Sequence, residues 1–342
     1  MISERRIETA RLGTRLLEGG APDGVPVIFV HGNLASADWW RGTMARLPKG
    51  FRALAPDLRA YGGADPAAKV DATRGMRDFS DDLAALMDAL AIPAAHLVGH
   101  SLGGSVLWQF MADHPGRALS VTQVCPGSPY GFGGCRPDGT PCAPDNAGSG
   151  GGAVNPEFAR LLAAGARGAD TPFHPLSILN AYVWKPPFVP AEIDLILSAT
   201  LAQHLGAQDY PGDSRPSPHW PGVAPGVWGP INAMAPAYQS DPLGFHRADG
   251  PVLWIRGADD PVVSDASLFD LGMLGQLGAV PGWPGPDAFP PQPMIAQTAR
   301  ALDGYAALGR RVERVVLPDC GHSPFLEKPA AFDAAFHRFL AG

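Results

Sequence analysis

Apolar residues in this chain come in short unbroken runs, and that pattern constrains the fold more than any other feature. Val25-Pro26-Val27-Ile28-Phe29-Val30 has no polar residue, and near-continuous runs recur at 51–56, 95–98, 121–124, 251–255 and 312–317. A strand exposed on one face alternates polar with apolar side chains; a strand without alternation is covered on both faces. Between the runs, Phe79, Leu83, Leu86, Met87 and Leu90 recur at helical spacing, with Asp78, Asp81, Asp82 and Asp88 at other positions. Residues 325–340 repeat this amphipathic pattern. Strands alternating with such helices predict an α/β fold: a mostly parallel, doubly wound sheet flanked by helices.

Chain breakers are distributed unevenly. Of 342 residues, 42 are Gly and 37 are Pro, without a G-X-Y period. They crowd into GSPYGFGGCRPDGTPCAP, AGSGGGAVNP and YPGDSRPSPHWPGVAPGVWGP, all between Pro126 and His246. No sheet core tolerates that density. Residues 126–246 are therefore expected to form an irregular lid inserted between two parts of one core, 1–125 and 247–342.

Composition removes several classes of function. With 26 Lys plus Arg against 33 Asp plus Glu, the net charge of −7 offers no basic surplus for a polyanion, so nucleic acid is not an expected partner. Hydrophobic residues at 46% against 17% charged exclude a disordered chain. No stretch reaches the length of a membrane span, and residues 1–20 lack the apolar stretch of a signal peptide, so a soluble, cytoplasmic protein is expected. Four cysteines show no zinc spacing, and no metal is expected. Cys135 and Cys142 share one loop and could bridge in an oxidising compartment; without a signal peptide, free thiols are expected. Oligomeric state leaves no trace in the sequence.

The chemistry concentrates where the run at 95–98 ends. There Gly99-His100-Ser101-Leu102-Gly103-Gly104 leads into an apolar helical stretch with Val106, Leu107, Phe110 and Met111. This is G-x-S-x-G in strand, tight turn, helix order. The serine occupies a strained turn whose flanking glycines let strand and helix backbones close in. The helix N-terminus beyond it offers N–H groups, the first from Leu102, to a developing oxyanion.

A serine hydroxyl needs an adjacent imidazole to act as a nucleophile. Of ten histidines, His322 lies on the loop after the last apolar run, in Asp319-Cys320-Gly321-His322-Ser323-Pro324, where strand C-terminal edges bind ligands. An imidazole in turn needs a carboxylate to hold its tautomer. After residues 251–255 stand Asp259 and Asp260, and either could serve. A second oxyanion donor is expected from the loop after the first run, His31-Gly32-Asn33, through the Asn33 amide. His31 reads as a residue that pins this loop, and His100 as a packing or pocket-wall residue.

These segments resemble the α/β-hydrolase family, in its serine esterase and lipase-like branch with an HG oxyanion loop and a lid after the sixth strand. The matching pieces are His31-Gly32-Asn33, Asp57-Leu58-Arg59-Ala60-Tyr61-Gly62, similar to the family's D-x-R-G-x-G turn, Gly99 to Gly104, Gly257 to Val263, and Gly321-His322-Ser323-Pro324. The resemblance implies Ser101 as nucleophile, Asp260 as acid, His322 as base, and Asn33 and Leu102 as oxyanion donors. Two features depart from it: Ala60 replaces a glycine, and the lid is longer and richer in Gly and Pro. Haloalkane dehalogenases and epoxide hydrolases of this fold carry aspartate at the position of Ser101, which disfavours both activities.

The lid is rich in aromatic residues, which read either as a water-excluding roof over an apolar pocket or as glue for a layer with little regular structure. Trp184 and Trp228, with His100, are the candidate substrate contacts. A second Pro/Gly stretch, 279–293, reads as a further pocket wall or a decorated surface loop. The expected activity is hydrolysis of a small to medium apolar carboxylic ester through an acyl-enzyme, with no cofactor. Amide, lactone or carbon–carbon bond hydrolysis and cofactor-free peroxidation would use the same residues; a non-catalytic ligand-binding homologue is the alternative from another class.

Overall fold

Eight strands form the central sheet of the computed structural model, which describes residues 2–342. They are β1 (Ser3–Glu8), β2 (Gly13–Gly20), β3 (Val25–Val30), β4 (Phe51–Pro56), β5 (Ala95–His100), β6 (Ala118–Val124), β7 (Val252–Gly257) and β8 (Val312–Leu317). Their spatial order is β1-β2-β4-β3-β5-β6-β7-β8. From β4 across to β8 every neighbouring pair is parallel, while β1 and β2 join as an antiparallel hairpin on the β4 edge.

The inner apolar runs are covered on both faces, but 312–317 is not: β8 is an edge strand in which only Leu317 is buried, and its Glu313 and Arg314 remain accessible to solvent. Ile28 and Val30 point into one buried cluster, with α1 (Arg77–Ala89), α2 (Leu102–Asp113) and residues Ala301, Leu302 and Tyr305 of a later helix. Val27 and Phe29 point into the other, with Phe332, Phe336 and Phe339 near the C-terminus. Two strands had no counterpart among the runs. β1 reads Ser-Glu-Arg-Arg-Ile-Glu with only Ile7 buried, an edge strand whose charges discourage further pairing. The amphipathic stretch at 325–340 also divides, into Pro324–Glu327 and Pro329–Leu340, because Pro329 has no N–H to continue a helix.

Between β6 and β7 the Gly/Pro-rich residues build short elements rather than plain coil. Helices Pro156–Ala163, Pro175–Ile178 and Pro230–Ala233 each begin on a proline, whose fixed φ and missing N–H suit a first helical position. Ile193–Leu201, here α3, is the longest helix of this segment, and two two-stranded ribbons accompany it. The stretch at 279–293 packs against the same segment. Trp220 donates to Pro281 O at 2.9 Å, and its ring meets Phe289 at 4.7 Å. No helix among the described residues is long and apolar enough to cross a membrane, and all four cysteines are free thiols.

Asp57, at the end of β4, organises the loops beneath the site. Its side chain accepts from the amides of Ala37 (2.8 Å) and Gly63 (2.7 Å) and pairs with Arg15 at 2.8 Å. Arg59, two residues on, pairs with Asp82 of α1 at 2.7 Å. Asp57→Ala orphans two amides and removes one carboxylate partner of Arg15, which keeps Asp38 at 2.6 Å, so a loss of about 3 kcal/mol in urea unfolding is expected. Ala60, where the resembling turn has glycine, sits at φ 69. That conformation costs roughly 1–2 kcal/mol, and the fully buried methyl returns about 0.8, so the replacement is close to neutral.

Candidate active site

The site lies where the winding of the sheet reverses. β3 pairs with β4 on one side and β5 on the other, so the loops leaving β3 and β5 diverge and open a crevice at the strand ends. Ser101 is the first residue beyond β5, with φ 54 and ψ −116. A Cβ on Gly99 would lie 2.5 Å from Gly103 O, and one on Gly103 would collide with Val30 O. Strand and helix therefore meet only because both positions lack side chains. The turn is locked by its backbone: Ser101 N donates to Val124 O at 3.0 Å, and Gly104 N donates back to Ser101 O at 2.9 Å.

The β3 loop runs against this turn. A Cβ on Gly32 would come within 3.1 Å of Ser101 Cβ. His31 holds the loop, accepting Leu58 N–H on Nε2 at 2.9 Å and bonding Gly32 O through Nδ1 at 2.8 Å. The Asn33 side chain accepts the Tyr61 hydroxyl at 2.9 Å, and Leu34 O accepts the hydroxyl of Thr200 of α3 at 2.8 Å. Among the described residues, the amides of Asn33 and Leu102 donate to no protein acceptor. The first lies on the loop whose Gly32 abuts Ser101, and the second at the start of α2, where such amides are intrinsically unpaired.

Asp260 and His322 are both buried and face each other, Oδ2 to Nδ1 at 2.8 Å. The other oxygen of Asp260 accepts from Val262 N at 2.8 Å and Val263 N at 3.1 Å, which fixes the carboxylate. Asp259 turns the opposite way, onto Lys185 Nζ at 2.9 Å. The structure thereby separates the two aspartates that the residues alone left open. His100 donates Nε2–H to the carbonyl of His322 at 2.9 Å, and the two rings lie 4.8 Å apart. Among the described residues no hydrogen bond joins Ser101 Oγ to the His322 ring; such contacts commonly tighten only when substrate is bound.

The three candidate substrate contacts fall in different places. His100 is buried among Trp39, Trp40 and Phe325 and supports the His322 backbone. Trp184 is fully buried against Gly321, next to His322. Trp228 is half-buried, its backbone paired with Asp71 and bonded to Asp213. One neighbour carried no sequence signal. Cys125, just past β6 at φ 43, brings its sulfur within 4.8 Å of the Asp260 carboxylate and the His322 ring. Burial, with Asp260 beside it, pushes its thiol well above the ordinary range, so it stays protonated.

Burial also lowers the pKa values of His31 and His100 below their ordinary 6.5. The unfolded chain therefore binds more protons than the folded one as the pH falls below 6.5. The stability these neutral rings contribute is complete above that value and is lost on acidification through their lowered folded values. Burial raises the Asp270 carboxyl and acts in the opposite sense, but as one group against four, since burial lowers His96 and His337 as well. Urea midpoints are expected to fall between about pH 7.5 and about pH 5.5.

Residues 25–145 match the family model of the alpha/beta hydrolase fold. The chain is 38% identical over 128 residues to the dihydrolipoyllysine-residue acetyltransferase component of the acetoin cleaving system of Cupriavidus necator, covering 37% of this chain and 30% of that protein. It thus spans less than a third of that relative. It is 25% identical over 354 aligned positions to epoxide hydrolase A of Mycobacterium tuberculosis, covering 99% of this chain and 98% of that one. It is 29% identical over 129 residues to carboxylesterase YbfK of Bacillus subtilis, covering 37% of this chain and 43% of that one. The crystal structure of that carboxylesterase superposes with a TM-score of 0.60 at 19% identity, covering 100% of this chain and 92% of that one. With a mostly parallel sheet, a serine turn after β5 and loops converging on it from β3, β7 and β8, the chain has the α/β-hydrolase fold.

Proposed function

We propose that the protein is a serine hydrolase of carboxylic esters, in which Ser101 is the nucleophile, His322 the general base and Asp260 its orienting acid. The observation that carries this reading is the buried 2.8 Å pair of Asp260 and His322 beside a strained serine turn. His322 Nδ1–H donates to Asp260, leaving Nε2 to take the proton from Ser101 as Oγ bonds to the ester carbonyl carbon. Negative charge then moves to the carbonyl oxygen, where the free amides of Asn33 and Leu102 receive it. His322 passes the proton to the departing alcohol. Water, deprotonated by the same ring, releases the acid and restores Ser101.

Residues 126–246 act as a lid over a core made of 1–125 and 247–342. Beside Leu34 it supplies a small apolar cluster of Phe158, Leu162 and Tyr210, with Ile178, Leu201 and Ile231 against it. Such a surface next to the oxyanion loop suits a small to medium apolar substrate. Trp184 is the candidate wall beside His322, Trp228 belongs to the lid rim, and His100 supports the base from below. Epoxide opening fits poorly with residue 101. A serine alkoxide opening an epoxide leaves an ether, which has no carbonyl for water to attack, so the enzyme would not turn over.

An acyl-enzyme predicts a burst. Rapid mixing with p-nitrophenyl acetate should release close to one equivalent of p-nitrophenol before the steady rate, provided deacylation is the slower step. A panel of ester, anilide, lactone and vinylogous diketone should favour the ester; turnover of the diketone alone would contradict the ester assignment.

A further inference from the structure

Resting on that reading, we propose that Glu327 is a positioning residue that fastens the lid to the loop carrying His322. Glu327 is 8% exposed, and no Lys, Arg or His pairs with it among the described residues. Its carboxylate instead collects backbone N–H groups. Oε2 accepts from Gly321 at 2.8 Å and from Lys185 at 2.9 Å; Oε1 accepts from Ser323 at 3.1 Å. Gly321 and Ser323 stand on either side of His322. Lys185 belongs to the lid, 142 residues away.

A local explanation accounts for only part of this. Ser323 precedes the short helix Pro324–Glu327, and its bond to Glu327 resembles the reciprocal contact that closes a helix start. Helix closure does not need Gly321, and it does not need a residue of the lid. A buried carboxylate is strongly disfavoured unless charge-assisted hydrogen bonds replace its water, so all three donors are drawn to one point. The lid segment is in direct contact there, since a Cβ on Gly321 would lie 2.7 Å from Lys185 N.

The Lys185 side chain reaches the same two loops from outside. Its Nζ lies 2.9 Å from Asp259, the neighbour of Asp260, and 2.8 Å from Asp319, three residues before His322. These ion pairs are exposed and contribute little. The buried carboxylate is therefore the stronger fastening. Through it, seating of the lid sets the height of the His322 backbone, and with it the reach of Nε2 toward Ser101.

The test compares Glu327→Gln and Glu327→Asp with the wild type, in full-length protein, by p-nitrophenyl acetate kinetics and by the rate at which a fluorophosphonate labels Ser101. The amide of Gln sets an N–H against an N–H donor, so kcat and the labelling rate should both fall by about 10-fold while KM changes by less than about 2-fold. Aspartate keeps the charge and should recover part of both rates. Unchanged kcat and labelling in the Gln variant would overturn the proposal, as would a change confined to KM. Failure of both variants to fold would assign the carboxylate a purely structural role and overturn it too. A wild type that neither hydrolyses the ester nor is labelled would refute the hydrolase reading itself, an outcome distinct from the others.

Discussion

Alanine at position 101 is expected to reduce p-nitrophenyl acetate hydrolysis by on the order of 10⁴-fold or more, because the remaining residues of a triad contribute little without the nucleophile. The fold should survive, since the bonds that hold the turn come from the backbone of Ser101 rather than its hydroxyl. Glycine at the same position should be equally inactive yet more stable by about 1 kcal/mol, because φ 54 and ψ −116 strain any residue with a Cβ. Activity and stability then move in opposite directions at one residue. Chemical denaturation and initial-rate assays on the two variants check both halves. Wild-type turnover in either variant would remove Ser101 from the reaction.

Asp260→Asn is expected to lower kcat by about 10⁴-fold with little change in stability. The asparagine oxygen can still accept the Val262 and Val263 amides, which turns its NH₂ toward His322 Nδ1. That forces the ring into the tautomer with its proton on Nε2, where it can no longer accept the serine proton. Asp259→Asn removes only an exposed pair with Lys185, and kcat should change by less than about 2-fold. The two neighbours therefore differ by orders of magnitude in one assay. The reverse ranking would move the acid to Asp259.

Much of the sheet was legible because β3 to β7 are largely apolar, and burial on both faces makes such strands favourable, whereas β8 is an edge strand with only Leu317 buried. β1 was not, since a charged edge strand looks like any polar segment until β2 pairs with it. Ser101 and His322 were legible through their loops, whose glycines mark close backbone approaches. Asp260 was half legible: the run 257–263 offered two aspartates, and only the direction in which each side chain leaves the turn distinguishes them. Cys125 and Glu327 carried no signal, because their importance lies in contacts with residues far away in the chain. The proline-rich segment was read as irregular, yet three of its prolines start helices. A proline marks a boundary without saying on which side the helix lies.

The most direct test of a reactive serine is to incubate the wild-type protein with a fluorophosphonate and map the adduct by peptide mass spectrometry. A single adduct on Ser101, formed in step with loss of esterase activity and absent from the Ser101→Ala and His322→Ala variants, is the predicted result. Esterase activity that persists in fully labelled protein, or an adduct on any other residue that abolishes it, would contradict the assignment.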